Sequence, residues 1–250
     1  MNKKFVSISV ISILYDFQST CIDSYNSLYA QKNINFEHLL IYKKLASDKK
    51  KLLTNKFPNI KLIQEKNEYF QNKFTALNQG IKESTNEVIF MQHADDKLID
   101  ENYLNNALKK INCGYDFVYS DINLINKNQR IIRKWVVSEN FNKFSFYNIP
   151  PHISIVYKKE IHSQIGYYNP NYPIASDFDF MVRLIKDEKF KFFKLDTISI
   201  NMLLGGDSTN YKNLLKVFKE DNRIFRDNNL SFNFIRTVLK KFNKVFQYLS

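Results

Sequence analysis

The chain has 250 residues, 44% of them hydrophobic, and a formal net charge of +12. That is enough for one sizeable core, in one domain or one domain with an appendage, and five glycines and five prolines leave no low-complexity linker to divide it. No stretch approaches the ~20 apolar residues of a membrane-spanning helix, and the two cysteines, Cys21 and Cys113, have no zinc-ligand spacing and fit reduced thiols in the cytosol.

Lys3 and Lys4 followed by the apolar run Phe5 to Tyr15 have the outline of a signal peptide, but Ser7, Ser9 and Ser12 interrupt the run and no small-residue cleavage site follows. Phe5 to Leu14 therefore reads as a first core strand. Ser19 is expected to cap a helix to about Gln31, with Ile22, Tyr25, Leu28 and Tyr29 on one face. Strands over Phe36 to Tyr42 and Ile60 to Ile63 flank a short helix over Lys49 to Lys56, and a helix from Phe74 to Glu83 places Phe74, Leu77 and Ile81 on one side. Val88 to Met91 is a short buried strand, followed at about Asp100 by another helix start. Strands alternating with helices predict an α/β fold with a mainly parallel sheet.

The second half is less regular. A strand over Phe117 to Tyr119 is expected to end at Asp121, and a strand over Ile131 to Val137 carries the only tryptophan, Trp135. Pro150-Pro151-His152 introduces a strand over Ile153 to Tyr157. Ser176 reads as a helix cap with Asp179 in a capping-box position, ahead of Met181, Val182, Leu184 and Ile185. Two short strands around Phe192 and Ile198 lead to Gly205-Gly206-Asp207-Ser208, and helices fill the remainder.

The stretch Val88 to Asp96 carries the chemistry. Its strand ends in two adjacent carboxylates, Asp95 and Asp96, at the strand's carboxyl end, where open α/β sheets bind ligands. Two carboxylates there suit a hard divalent cation shared with substrate phosphates; a polar turn is the alternative. Asp177 lies at a helix start, where an ionised carboxylate is favoured, either as a complement to the helix dipole or as a proton acceptor. Gly205-Gly206 either lets another group approach the backbone closely or forms a plain tight turn.

The order of these pieces resembles the family 2 glycosyltransferases. The resemblance runs from about Phe5 to Asn210. It rests on Ile8-Ser9-Val10-Ile11 with Tyr15-Asp16, Ser27-Leu28 with Gln31, and Phe36-Glu37-His38. It continues through Ala76-Leu77-Asn78-Gln79-Gly80-Ile81, Ala94-Asp95-Asp96, His152, Ala175-Ser176-Asp177-Phe178-Asp179 with Arg183, and Gly205-Gly206-Asp207-Ser208. Three features depart from the family: Tyr42-Lys43-Lys44 stands where an Asp-led turn usually meets the nucleotide base, His93 stands where the acidic motif often begins with Asp or Asn, and the Asp-Lys-Gly-type approach to the Ala-x-Asn-x-Gly helix is absent.

The resemblance implies a single GT-A-like nucleotide-sugar-binding domain over residues 1–210, with a C-terminal helical extension over 211–250. It implies an inverting, metal-dependent transfer of sugar from a nucleotide-diphosphate sugar to a glycan or lipid-linked acceptor in bacterial surface-polysaccharide synthesis. Asp177 would be the general base. Asp95 and Asp96 would bind Mn2+ or Mg2+, with Asp96 preferred for the direct contact, and Tyr15, Tyr42, Asn78, Asp95, Gly205 and Gly206 would contact the donor. Two other readings compete: an inactive scaffold of the same fold, motivated by Tyr42 and His93, and a nucleic-acid-binding protein, motivated by charge. No RNP, zinc-finger or helix-turn-helix signature supports the latter, so nucleic acid is not an expected partner.

Beyond the resemblance, Ile235, Val238, Leu239, Phe242, Val245, Phe246 and Leu249 recur at helical spacing, with Arg236, Lys240, Lys241 and Lys244 mostly around the other face. Such a helix either lies on an anionic membrane surface or packs on the domain or on a second copy in a homodimer. The first option predicts a cytoplasmic protein peripheral to the inner face of the cell membrane.

Overall fold

The computed structural model describes residues 4–66, 72–138, 149–205, 213–231 and 235–238. Its first half alternates strand and helix: β1 (Ser7–Leu14), α1 (Ser19–Tyr29), β2 (Asn35–Tyr42), α2 (Ser47–Lys56), β3 (Ile60–Gln64), α3 (Lys73–Glu83) and β4 (Val88–Met91). β1 pairs in parallel with β2 and β4, and β2 with β3, so these four strands end along one edge. They are apolar on both faces because both faces are covered. Val88 and Phe90 pack with Tyr103, Leu104 and Leu108 on one side, and Ile89 and Met91 with Phe74, Leu77 and Ile81 on the other.

The second half continues with β5 (Lys97–Leu98), α4 (Tyr103–Asn112), β6 (Phe117–Ile125), β7 (Ile131–Trp135), a 3-10 turn (His152–Ser154) and β8 (Val156–Lys158). It ends with α5 (Ile161–Ile165), α6 (Ser176–Lys186), β9 (Phe192–Leu203) and α7 (Leu214–Asp227). The sheet runs β3-β2-β1-β4-β8-β6-β9-β5, with β7 added on β6. β8 is antiparallel to both β4 and β6, while β6 and β9 are parallel. The result is the expected α/β architecture with a mainly parallel sheet.

Several boundaries differ from expectation. β6 does not stop at Asp121 but runs through it. The buried Asp121 carboxylate is neutralised by Lys194 of the neighbouring strand at 2.9 Å and accepts the Val137 amide at 2.9 Å, so a charge that suggests a strand end is accommodated inside one. The two strands expected around Phe192 and Ile198 are one, with a register slip opposite Tyr119 to Ile122. His152 begins a 3-10 turn, and the strand after it starts only at Val156. Ser19 is the first helical residue of α1, whose N-cap Gln18 makes no side-chain cap. Of the C-terminal helix, residues 235–238 are helical, with Thr237 buried and Ile235 exposed; Leu239, Phe242, Val245, Phe246 and Leu249 lie outside the described residues. Among the described residues no helix is long and apolar enough to cross a membrane.

Two close fits hold the parallel half together. Gly80 brings α3 onto the sheet so tightly that a Cβ there would sit 2.5 Å from the Ile11 Cγ2 atom and 3.3 Å from Ile41. Under the sheet's other edge, Glu37 accepts from Ser9 Oγ at 2.5 Å, the Thr85 amide at 2.6 Å, Thr85 Oγ1 at 2.7 Å and Lys61 Nζ at 2.6 Å. Burial alone would raise this carboxyl. The Lys61 ammonium and the Ser9 and Thr85 donors outweigh it and hold it at about 2.

A carboxyl depressed in the folded state stabilises the fold above its unfolded value and ceases to do so as pH falls through its folded value. Glu37→Gln is therefore expected to cost about 1.5–3 kcal/mol near neutral pH, the range for hydrogen bonds to a charged group. The difference from wild type should shrink as pH falls from 4.5 towards 2. Urea unfolding at several pH values measures both; a pH-independent difference would remove the electrostatic explanation.

Candidate active site

The carboxyl edge of β4 carries Gln92-His93-Ala94-Asp95-Asp96, and hydrogen bonds to its main chain set its shape. The Gln92 amide donates to Ile11 O at 3.0 Å, in line with the sheet. Its side-chain Nε2 donates to Asp96 O at 2.7 Å and to Ser24 Oγ at 2.8 Å, and Ser24 Oγ donates in turn to His93 O at 2.8 Å. One residue on α1 and one at the end of β4 thus hold both ends of the turn.

Inside that turn the two carboxylates differ. Asp96 is buried and accepts the Leu203 amide at 3.2 Å. Burial first, and the Asp95 charge beside it, push its carboxyl well above the usual range, against the pull of that amide. Asp95 reaches solvent at the rim, yet the protein around it still raises its carboxyl. Burial raises both carboxyls, and at Asp96 the neighbouring Asp95 charge adds to it.

A second acid approaches from the other half of the chain. Asp177 lies in the first turn of α6, half-buried, with its Oδ1 accepting the Phe178 amide at 2.8 Å. Its Oδ2 is 3.7 Å from His152 Nδ1. The His152 ring meets the His93 ring edge to face, with centroids 5.3 Å apart. The acidic turn and the Asp177 helix are therefore joined through two imidazoles. Burial, the largest cause for both, lowers His152 below the ordinary histidine value and His93 to about 3, so both rings are neutral near pH 7. The Nε2 atom of each is buried without a hydrogen-bond partner.

Other expected site residues line the same edge or brace it. Tyr15 is exposed just after β1. Tyr42, at the end of β2, is buried, with Lys50 Nζ 4.7 Å from its ring centre. Gly205 follows β9 with φ +123°, a conformation that side-chain-bearing residues rarely adopt. Gly206, Asp207 and Ser208 lie outside the described residues. Asn78 has both polar ends engaged with one backbone unit: Nδ2 donates to Tyr168 O at 2.8 Å and Oδ1 accepts the Tyr168 amide at 3.0 Å.

The start of α6 differs from the expected capping box. The N-cap is Ala175, Ser176 Oγ is buried without a partner, and Asp179 is occupied elsewhere. It pairs with Arg183 at 2.9 Å and accepts from Asn228 at 3.2 Å. Arg183 reaches on to the carbonyls of Ile165 and Tyr167, binding the loop that Asn78 holds from the other side. The amides of Ile174 and Ala175 are instead taken up by Glu220 of α7, at 3.1 and 2.8 Å.

No protein-family model matches the sequence, and no curated protein is similar to it. Among solved structures, S. aureus TarS 1–349 superposes on 95% of this chain and 72% of that one, with TM-score 0.71 at 14% identity. Its complex with UDP-GlcNAc gives TM-score 0.68 at 16% identity, over 92% of this chain and 69% of that one. The mannosyltransferase PcManGT from Pyrobaculum calidifontis, in complex with GDP-Man and Mn2+, gives 0.66 at 13%, over 96% and 69%. The fold is that of the GT-A glycosyltransferases. Against the longer TarS structure the chain spans 44% of that chain's length.

Within the GT-A fold, four contributors to this edge escaped sequence reasoning: Ser24 and Gln92, which hold the acidic turn, Glu220, and Glu65. Glu65 follows β3, is buried, and donates its amide to Tyr42 O at 2.8 Å. Burial raises its carboxyl, against the nearby Lys43 charge. Its position at a strand's carboxyl end was a usable signal; Ser24 and Glu220 carried none, since each acts across more than 40 residues.

Glu220→Ala should cost about 1.5–3 kcal/mol, the range for hydrogen bonds to a charged group. Denaturant unfolding measures it. A change within about 0.5 kcal/mol, the ordinary surface range, would show that α6 does not depend on this carboxylate.

Proposed function

We propose that this chain is an inverting glycosyltransferase that moves a sugar from a nucleotide-diphosphate sugar to a hydroxyl of a glycan or lipid-linked acceptor, in bacterial surface-polysaccharide synthesis. One observation carries the reading: the acidic turn after β4 and Asp177 on α6 converge through the His93–His152 contact. The structural neighbours with UDP-GlcNAc and with GDP-Man and Mn2+ support the donor class and a metal.

The base end of the donor falls at the carboxyl ends of β1, β2 and β3, where Tyr15, Tyr42 and Glu65 stand. Its diphosphate falls towards Asp95 and Asp96, with Gly205 beyond the end of β9; Gly206, outside the described residues, is assigned to the donor by the resemblance alone. Among the described residues no set of three metal-binding side chains occurs. Two carboxylates with raised protonation tendency nevertheless fit Mn2+ or Mg2+, which use one or two carboxylates and complete their shell with substrate phosphates and water. When bound, that cation supplies positive charge to the departing nucleoside diphosphate.

Asp177 takes the proton of the attacking acceptor hydroxyl. A single base with no covalent nucleophile gives direct displacement, hence inversion. His152, neutral and 3.7 Å from the Asp177 carboxylate, orients it without competing for the proton. Asn78 acts on the site indirectly, by fixing the Tyr168 segment that leads into α6. Residues 1–210 form the transferase unit and 211–250 its C-terminal extension, of which α7 docks on α6 through Phe225 against Phe178. The enzyme works in the cytoplasm, peripheral to the inner membrane face.

The test is transfer and slow hydrolysis of UDP- and GDP-linked sugars with Mn2+. Asp96→Ala should lose most turnover without unfolding. Asp177→Asn should keep donor affinity and lose about 10²–10⁴-fold in turnover, the typical worth of a general base. Wild-type turnover in both variants would refute the assignment. Donor binding without any turnover in the wild type would favour an inactive scaffold.

A further inference from the structure

The β6–β7 hairpin lies outside the site just described, yet leaves the sheet beside it. Leu203 donates to Asp96 Oδ1, and the next residue, Leu204, donates to Ile125 O at 2.9 Å, the last residue of β6. The turn that follows has a fixed shape. The Asn126 amide donates to Arg130 O at 3.0 Å, and Asn126 Oδ1 accepts the amides of Asn128 at 2.9 Å and Arg130 at 3.1 Å. Gln129 takes the left-handed conformation, with φ 61°.

The side chains beyond that turn are unusual for a protein surface. Ile131, Ile132 and Val136 are 53%, 41% and 51% exposed. Strand alternation sends Arg133 and Trp135 inward, where the guanidinium lies 5.2 Å from the indole, and leaves Ile132 and Lys134 outward; the register slip opposite Leu124 and Ile125 interrupts the alternation and leaves Ile131 exposed as well, and Val136 is exposed just past the strand end. Lys127, Arg130 and Lys134 are exposed in the same hairpin, and no Asp or Glu occurs from Ile122 to Ser138.

We infer that this hairpin, residues 126–136, is a docking surface for an anionic lipid bilayer. Its aliphatic side chains match the acyl boundary and its cations match the headgroups, the combination by which amphipathic surfaces hold a membrane interface. Charge decides against a second copy as the occupant, because two such hairpins would bring three cations each to the same contact. The hairpin turn lies on the same sheet edge as the acidic turn, since Leu203 and Leu204 link Asp96 to Ile125, so a lipid-linked acceptor at a docked bilayer would lie on the side of the protein that carries the proposed site. This deepens the transferase reading and rests on it only for that last step; vesicle binding is measured without turnover.

The experiment is co-sedimentation of the full chain with phosphatidylcholine vesicles, with and without phosphatidylglycerol. Binding should be at least tenfold stronger to the anionic vesicles and should weaken with salt. Ile131→Ser, Ile132→Ser and Val136→Ser together should lower it at least tenfold. Lys127→Glu with Arg130→Glu should remove most of the salt dependence, each cation being worth roughly fivefold near such a surface. Because all five side chains are exposed, unfolding temperatures should stay at the wild-type value, and the charge variant stands alone if the aliphatic one fails to fold. Absence of binding by the wild type would overturn the proposal. So would wild-type binding by both variants, which would place any anchor elsewhere. A dimer in sedimentation equilibrium that the aliphatic variant splits, with vesicle binding unchanged, would assign the face to a second copy instead.

Discussion

Asp95 and Asp96 put two carboxylates on adjacent residues at the rim of the sheet, with Asp96 only 4% exposed. Burial opposes the ionisation of both, and the Asp95 charge further opposes that of Asp96. Left to itself, such a turn would relax outward into water. It is prevented from doing so by its main chain: Gln92 binds the Asp96 carbonyl, Ser24 binds the His93 carbonyl, and the Leu203 amide binds the Asp96 carboxylate. Three elements, α1, β4 and β9, therefore hold two adjacent carboxyl groups where burial favours a bound proton or a bound cation over a bare charge. That is the preorganisation a charge-stabilising site requires, since the cost of arranging it is met during folding and not during reaction.

The other half of the site depends on equally remote contacts. Asp177 is carried by a helix whose entry is fixed by Glu220 from α7, and the loop before that helix is fixed by Asn78 from α3 and Arg183 from α6 itself. The Asn78 and Gly80 positions of one short helix divide the work. Gly80 sets how closely α3 lies on β1 and β2, and Asn78 uses that closeness to reach Tyr168. A shift of α3 by the width of a methyl group would move both. Helix α7 is similarly more than an appendage in packing terms, because Ile224 and Phe225 belong to the same apolar cluster as Phe178 and Met181.

The parallel half of the fold was legible in the sequence because its signals are local. Val88 to Met91 and Ile8 to Ile11 are apolar on both faces of a strand, and a strand of that kind has few alternatives to a covered parallel sheet. The antiparallel insertions were harder. Asp121 suggested a strand end, because the pairing that neutralises it, Lys194, lies 73 residues away in sequence. Ser176 and Asp179 fitted a capping box, yet the amides before that helix are bound by a carboxylate from α7, and Asp179 serves Arg183 and Asn228. Among the proposed site residues, the resemblance singled out Asp95, Asp96, Asp177 and His152 by motif, and the structure brings the acidic turn and Asp177 near one another through His93 and His152. That His93 and His152 meet ring to ring was not readable, since a departure from a motif says nothing about what the new side chain touches.

The central claim is that the acidic turn exists to take a nucleoside diphosphate together with a divalent cation. The most direct test is the unfolding temperature of the full chain with UDP or GDP, with and without Mn2+. Ligand that binds only the native state at about a hundredfold above its dissociation constant adds about 2.7 kcal/mol, which for a chain of this size corresponds to a rise of roughly 5–10 °C. The account predicts that rise with nucleotide and Mn2+ together, little with either alone, and its loss in Asp96→Ala. No rise with either nucleotide in the presence of Mn2+, or a full rise that persists in Asp96→Ala, would contradict it.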